Sequence, residues 1–370
     1  VSVKGPRILR EQNQKKLLAL LRRLKRTSRK DLVKKMGVSR NTVSLIVDHF
    51  IKEGVIKEVG VEDPGRAGRP TILIEMNQQA FQAVGFTLYH NKIEYMVTDY
   101  FLNILEEGTL TNPWKSGREV SAIIVEKMND LKTRYDAILG IGVGVPGVVD
   151  PFKGIVSEST NLKWYNVKLY ELLRESIDLP IIIQNNVNMA SLCSLELADG
   201  KRGSLFYIRV GEGIGGAYLG ERAQWWETGR AAAEIGHISV DARGPVCSCG
   251  QQGCLERMIG LKTYNSWLKI TDGQPLSEKE LKQRMEVEMA VYGTYLGISL
   301  VNVIHLLNPD KIVIDSPYNV YSAFQDAVKR HLSENALTLL YSRTALWFND
   351  KPFSQSLGAA HAVIHHYESY

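Results

Sequence analysis

The chain has 370 residues, 44% of them hydrophobic and 23% charged, with four cysteines. That is a soluble globular composition, long enough for two or three domains each with its own core. No apolar run approaches the roughly 18 residues of a membrane span, no signal-peptide core opens the chain, and clustered cysteines without a disulfide framework fit a reducing cytoplasm.

The formal charge of +5 is unevenly placed: residues 1–75 carry 18 Lys and Arg against 8 Asp and Glu, and the rest of the chain 27 against 32. A basic head on a mildly acidic body points to an anionic polymer bound by the head. Leucines at helical spacing over 11–24 predict a first amphipathic helix. In TSRKDLVKKMGVSRNTVSLIVDHFIKEGVI, Ser28 is placed to cap a helix over DLVKKM and Gly37 to take the positive φ of a tight turn. Ser39 caps a second helix, whose Val43, Ile46, Val47 and Phe50 share one face. Val33, Gly37 and Val43 fall at the spacing where two helices of a helix-turn-helix cross closely.

That arrangement sets Arg40, Asn41, Thr42 and Ser44 at the exposed start of a recognition helix, where Arg and Asn can make bidentate contacts to base edges. Lys15, Lys16, Arg22 and Arg23 read as phosphate contacts or a solvated face. After Gly54, the stretches VIKEVGV, DPGRAGRP and TILIEM make two short strands around a Gly/Pro tip. This is a wing whose Arg66 and Arg69 are placed for a minor groove. Residues 1–75 are therefore expected to be a winged helix-turn-helix that binds double-stranded DNA.

From residue 80 strands alternate with helices. AVGFTLYHN, KIEYMVTDYF and ILEEGTL are successive strands, SAIIVEKMNDLKTRY a helix, and ILGIGVGVPGVVD a buried strand opening into a Gly/Pro turn. LPIIIQNNVNMASLCSLEL gives a strand, a polar turn and a helix, and SLFYIRVGEGIGGAYL two strands about a glycine turn. A long helix over EVEMAVYGTYLGISLVNVIHLL, the strand KIVID and a closing helix in GAAHAVIHHY complete an α/β body over 76–370, expected as two lobes facing a cleft.

Within it, GRAAAEIGHISVDARGPVCSCGQQGCLE sets His237 ahead of Cys247, Cys249 and Cys254. One imidazole and three thiolates can close a tetrahedral zinc site, and a closed site serves structure rather than metal catalysis. Glu234 and Glu256 flank it, so that a metal would hold two carboxylates toward a common pocket.

GVPGVVD at 144–150, STNLKW at 159–164, VGEGIGGAYL at 210–219, EIGH at 234–237 and CSCGQQGCLE at 247–256 together resemble the ROK family of repressors, open reading frames and sugar kinases. The resemblance covers residues 80–370, and the head looks like that of the family's repressor branch. It implies an actin-like, ribonuclease H-like fold of the sugar kinase type, with His237, Cys247, Cys249 and Cys254 binding a structural Zn2+. It makes Glu234, His237 and Glu256 contacts to the hydroxyls of a monosaccharide, with Asn185 and Asn186 opposite and Asn161 and Gly147 on the facing lobe. Turn formation and helix capping are the other reading of Asn185 and Asn186. Trp225 and Trp226 are placed either to stack on a sugar or to pack a lobe or dimer surface.

A kinase of this family needs features that this chain lacks. The phosphate turn D-x-G-G-T is replaced by VGFTLYHN, with no glycine pair to cradle phosphate. The Asp of the N-D pair, the base for the sugar hydroxyl, is replaced by Asn186, and an amide is no general base near neutral pH. Asp315 and Ser316 follow KIVI where a glycine pair should face the nucleotide, and Glu212 adds negative charge to VGEGIGG. The expectation is a sugar-responsive repressor of carbohydrate-utilisation genes without catalytic residues, a homodimer or dimer of dimers on a palindromic operator. Xylose and glucose are the first effectors to try. The alternative is an active ATP-dependent sugar kinase fused to a DNA-binding domain.

Overall fold

The computed structural model describes residues 5–62, 71–111, 116–194, 203–220, 233–272, 277–349 and 353–369. Arg66 and Arg69 at the wing tip, and Trp225 and Trp226, lie outside the described residues. Two compact units divide the chain: Val1–Gly144, Lys168–Ile183 and Ala359–Tyr370 form the first, and Val145–Val167 and Gln184–Gly358 the second.

The head opens with α1 (Pro6–Leu24), and Pro6 suits a first turn whose N–H groups have no helical partner. A short strand β1 (Arg26–Ser28) leads into α2 (Arg29–Met36) and α3 (Arg40–Lys52). Both caps expected from the sequence form: Ser28 Oγ accepts from Asp31 N at 3.2 Å and Ser39 Oγ from Thr42 N at 3.1 Å. Strands β2 (Ile56–Glu62) and β3 (Thr71–Met76) pair antiparallel as the sides of the wing, and β1, which no hydrophobic pattern announces, joins β3 on its other edge. Leu17, Leu18, Leu21, Leu32, Val43, Val47 and Ile74 fill the centre. The same core continues into Ala83, Tyr100, Ala360, Val363 and Ile364, so the head's apolar interior does not stop at residue 75.

Beyond the head come β4 (Gln82–Leu88), β5 (Ile93–Asp99), β6 (Ile104–Leu110), α4 (Gly117–Lys132) and β7 (Ile138–Val145). Then follow β8 (Val148–Asp150), β9 (Ile155–Ser159), β10 (Trp164–Val167), α5 (Leu169–Arg174), β11 (Ile181–Asn185) and α6 (Asn186–Cys193). The remainder is β12 (Leu205–Val210), β13 (Ile214–Leu219), α7 (Leu255–Ile259), α8 (Leu261–Asp272), α9 (Glu278–Leu307), β14 (Lys311–Asp315), α10 (Ser322–Asn335), α11 (Thr338–Tyr341), β15 (Ala345–Asn349) and α12 (Gln355–Glu368).

A five-stranded sheet runs β11-β7-β4-β5-β6, and a four-stranded one β13-β12-β14-β15. Each starts from an antiparallel hairpin whose first strand then takes a parallel neighbour, β7 beside β4 and β14 beside β12. Strand β4 is buried along its whole length as a central strand must be, whereas β6 at the edge alternates. Strands β8, β9 and β10 form a small antiparallel sheet within the second unit that the sequence pattern does not predict.

Helix α9 corrects the expectation that no stretch reaches membrane length, because by length and apolarity it does. Its Met289, Tyr292, Leu296, Leu300, Val303 and Ile304 are buried in the core of the second unit, beside Phe324 and Val328 of α10. That is the environment of a core helix, apolar because it is covered on one side by a sheet and on another by a helix.

Candidate functional site

His237 ends a short 3-10 turn, Ile235–His237, while Cys247 and Cys249 sit in the turns after it and Cys254 caps α7. The ligand atoms of these four residues all lie within 4.8 Å of one another, and the set can hold a metal ion. Cys247 Sγ is 3.6 Å from His237 Nδ1, and Cys249 Sγ is 3.6 Å from Cys254 Sγ. Ligands bound tetrahedrally at about 2.0–2.3 Å from one ion stand roughly 3.3–3.8 Å apart, so the donor set fits. The electrostatics point the same way: burial, then Cys249 and Cys247, push the Cys254 thiol up to about 12. Like charges this close oppose one another's ionisation, and a cation among them would favour the thiolate forms that bind a metal. Gly253 makes the turn possible, since at φ 66° a Cβ there would lie 1.7 Å from Asp241 O.

Two carboxylates stand beside this cluster. Glu234 reaches solvent, yet the protein desolvates its carboxyl enough to raise its pKa, with His237 opposing and Glu256 adding to the shift. Glu256, in the first turn of α7, accepts from Ile214 N at 2.9 Å through Oε2. Gly215, next along β13, lies so close to α6 that a Cβ on it would meet Val187 Cγ2 at 2.9 Å. Glu256 and Val187, the residue after Asn186, thus both lie against the glycine-rich start of β13. Of the expected sugar contacts, Glu234, His237, Glu256, Asn185, Asn186, Asn161 and Gly147 all fall in the second unit.

They do not play equal parts. Asn185 is buried, and its amide is engaged within the protein: Oδ1 accepts from Val187 N at 2.7 Å to cap α6, and Nδ2 donates to Gly147 O at 2.7 Å. Asn185 and Gly147 therefore brace α6 against the start of β8. Asn186, at the first position of α6, is half-buried and donates through Nδ2 to Gln355 Oε1 at 3.4 Å. Asn161 is exposed in the turn between β9 and β10.

At the end of β14, where a kinase of this family would face its nucleotide, Asp315 is engaged by neighbouring side chains and backbone. Asp315, 1% exposed, accepts from Tyr207 OH, from Arg209 Nη1 at 3.3 Å and from Phe353 N at 3.1 Å. Arg209 also donates to Phe353 O at 2.8 Å. Ser316 accepts from Tyr318 N and caps the turn Pro317–Val320. The sequence pointed to Asp315 as a missing glycine; its buried partner Arg209, on another strand, had no local signal.

In the head, Arg40 and Asn41 are exposed at the start of α3, while Thr42 and Ser44 are half-covered and the Thr42 hydroxyl lies 2.8 Å from that of Ser39. Leu45, 63% exposed, is a member of this face that sequence reasoning passed over. It is a large apolar side chain off the core positions 43, 46, 47 and 50, and suits the methyl group of a thymine. Of Lys15, Lys16, Arg22 and Arg23, three have internal roles: Lys16 Nζ donates to Met36 O at 2.8 Å, Arg22 pairs with Glu368, and Lys15 lies over the ring of Tyr367.

Comparison with known proteins places these features. The sequence profile of the ROK family matches residues 84–352, and that of a winged helix-turn-helix DNA-binding domain matches residues 10–57. The xylose repressor of Caldicellulosiruptor bescii is 25% identical over 333 residues, 83% of each chain. A glucokinase of Halalkalibacterium halodurans is 28% identical over 207 residues, half of this chain and 62% of the enzyme. A crystallised ROK transcriptional regulator, described as a homologue of the Escherichia coli Mlc protein, superposes with a TM-score of 0.80 over 97% of both chains at 19% identity.

Proposed function

From the premise that this chain belongs to the ROK family, we propose that it is a transcriptional regulator, a repressor of carbohydrate-utilisation genes whose DNA affinity answers to a monosaccharide. The carrying observation is a winged helix-turn-helix joined to a ROK domain in which Asn186, an amide, opens α6 at the place of the kinase's base. The relatives support it: the xylose repressor matches 83% of this chain, whereas the glucokinase matches half of it.

In this reading residues 1–75 are the DNA-binding head and residues 76–370 the sugar-binding body. Arg40, Asn41 and Ser44 read base edges with Leu45, Thr42 steadies the helix start, and Arg66 and Arg69 serve the wing. Glu234, His237, Glu256 and Asn186 meet sugar hydroxyls, which a carboxylate accepts and an amide both accepts and donates to. Asn185, Gly147 and Asn161 frame them. A structural zinc on His237, Cys247, Cys249 and Cys254 would fix the His237 ring, so that metal geometry sets ligand geometry. The protein would act in the cytoplasm as a homodimer, since paired recognition helices need a two-fold axis.

The Asp315–Arg209–Phe353 network at the end of β14, where a kinase would face its nucleotide, supports a reading without phosphate transfer. Calorimetry with xylose, glucose and other monosaccharides, alongside operator binding with and without each, tests the reading. A sugar that binds and changes operator affinity is the expected result. Phosphate transfer from ATP to any of these sugars would overturn it in favour of the fused kinase.

A further inference from the structure

The four possible metal ligands differ in how solvent reaches them, and all of them lie within the second unit. Among the cysteines, Cys193, Cys247 and Cys254 are buried and Cys249 is exposed. Cys249 Sγ stands 3.6 Å from Cys254 Sγ, whereas Cys247 Sγ has His237 Nδ1 at that distance. An oxidant arriving from solvent therefore meets Cys249 first, with the Cys254 sulfur already beside it.

The two sulfurs are carried on backbone of unequal freedom. Cys254 caps α7, and Gly253 before it is pressed against Asp241. Leu255 N donates to Ile238 O at 2.9 Å on the other side, so Cys254 is fixed. Residues 248–252 are exposed, and Gly250, at φ 91°, has nothing within 4 Å of a Cβ position. About 1.5 Å separates the present distance from a disulfide bond of about 2.05 Å, and the Cys249 side has the room to close it.

We propose that Cys249 and Cys254 are a peroxide-sensitive pair whose oxidation dismantles the metal site. Hydrogen peroxide is the oxidant. A thiol that coordinates a cation is held as its thiolate, the form that reacts. The Cys249 thiolate attacks one peroxide oxygen and the O–O bond breaks. The departing hydroxide takes a proton from solvent and leaves as water, and Cys249 becomes a sulfenic acid. The Cys254 thiolate then attacks that sulfur, the S–O bond breaks, and a second proton carries the oxygen away as a second water. Two thiolates lose two electrons, the peroxide gains them, and two protons are consumed.

Two of the four donors are then spent on each other, and His237 and Cys247 alone do not close a tetrahedral site. The effect on recognition rests on the proposed reading of His237 and Glu256 as sugar contacts. His237 loses the ion that would fix its ring, and Glu256 lies two residues beyond the new bond, in the first turn of α7. Oxidation would thus release the sugar-facing wall, and a thiol reductant with Zn2+ would restore it.

The test uses the full chain, reduced and loaded with one equivalent of Zn2+, then treated with hydrogen peroxide. A metallochromic indicator should report release of the ion, and a non-reducing peptide map should show Cys249 linked to Cys254. Dithiothreitol with fresh Zn2+ should reverse both. Calorimetry with D-xylose and D-glucose should show the Kd of whichever sugar binds rising about tenfold or more on oxidation. Cys249→Ser should form no such link, while Cys193→Ser should behave as the wild type. If Cys249→Ser does not fold, the wild-type peptide map decides alone. Cys249 carried on to sulfinic or sulfonic acid, a link that uses Cys247 or Cys193 instead, or Zn2+ retained at peroxide levels that oxidise free cysteine overturns the pair. Cross-linked, zinc-free protein that binds sugar as before overturns the effect on recognition and leaves the pair standing. Reduced, zinc-loaded protein that gives no heat with either sugar or the wider panel overturns the sugar-sensor reading, and the pair is then judged by its peptide map.

Discussion

The second unit contains two groups of carboxylates that have taken opposite paths. Glu234 and Glu256 stand beside four soft ligands at the chain's turn-rich wall, Glu234 in reach of solvent and Glu256 tied to one backbone N–H. Asp315 at the end of β14 is buried under Tyr207, Arg209 and Phe353, all from its own chain. A carboxylate whose lone pairs its own chain has taken has little to offer a ligand, whereas one held by a single bond and facing water does. On the proposed reading, that contrast separates a surface kept for sugar recognition from one whose carboxylate serves the chain's own packing.

The largest effect should come from the recognition side. Cys254 is fully buried, and Cys254→Ser, or treatment with a strong chelator, is expected to lower the melting temperature by about 10 °C and to abolish the heat of sugar binding. Both changes should appear together. A chelated protein that still binds sugar with unchanged affinity would separate the metal cluster from recognition and break the comparison. On the closed side, Asp315→Ala strands the Arg209 guanidinium and the Phe353 N–H in a poorly solvated place. Urea denaturation should show a loss of about 3 kcal/mol, with sugar affinity of the folded protein within about twofold of wild type.

A subtler pair sharpens the contrast. Glu256→Gln keeps an acceptor for Ile214 N but removes the charge, so sugar affinity should fall about tenfold, a loss of roughly 1.4 kcal/mol, with melting temperature little changed. Asn186→Asp returns a carboxylate to the start of α6. It should not by itself produce phosphate transfer from ATP in a coupled assay, because the Asp315 network still closes the other side. Phosphorylated sugar from that single substitution would show that the network is no barrier.

The head was the most legible part of the molecule, because its signals are local. Ser28, Gly37 and Ser39 announce their caps and turn within three residues of where they act, and the structure has each in place. His237, Cys247, Cys249 and Cys254 were legible for a related reason: rare ligand types at short spacing are brought together by a few turns. What the sequence hid depends on distant pairs. Gln355 is 169 positions from Asn186, Glu368 is 346 from Arg22, and Phe353 reaches Arg209 across 144. Strand β1 is three residues long and exists because β3 offers it an edge, so no period could mark it. The capping reading of Asn185, left beside the sugar-contact reading at first, matches the bonds that its amide makes.

The smallest effect is a sign rather than a size. Burial raises the Asp315 pKa above the ordinary carboxylate range, and Arg209, Tyr207 and the Phe353 N–H oppose it without reversing it. The folded protein therefore holds this proton more tightly than the unfolded chain. Asp315's contribution to stability is greatest below the ordinary pKa of about 3.9 and declines as pH rises through the higher folded value. Asp315→Ala has no such group, so its deficit relative to wild type should be larger at pH 4.5 than at pH 7. Paired urea titrations at the two pH values measure it. A deficit that grows toward neutral pH would mean that Arg209 and the Phe353 N–H outweigh burial. Asp315 would then be a stabilising ion pair, and the closed side of the unit would be held together by charge rather than merely tolerating it.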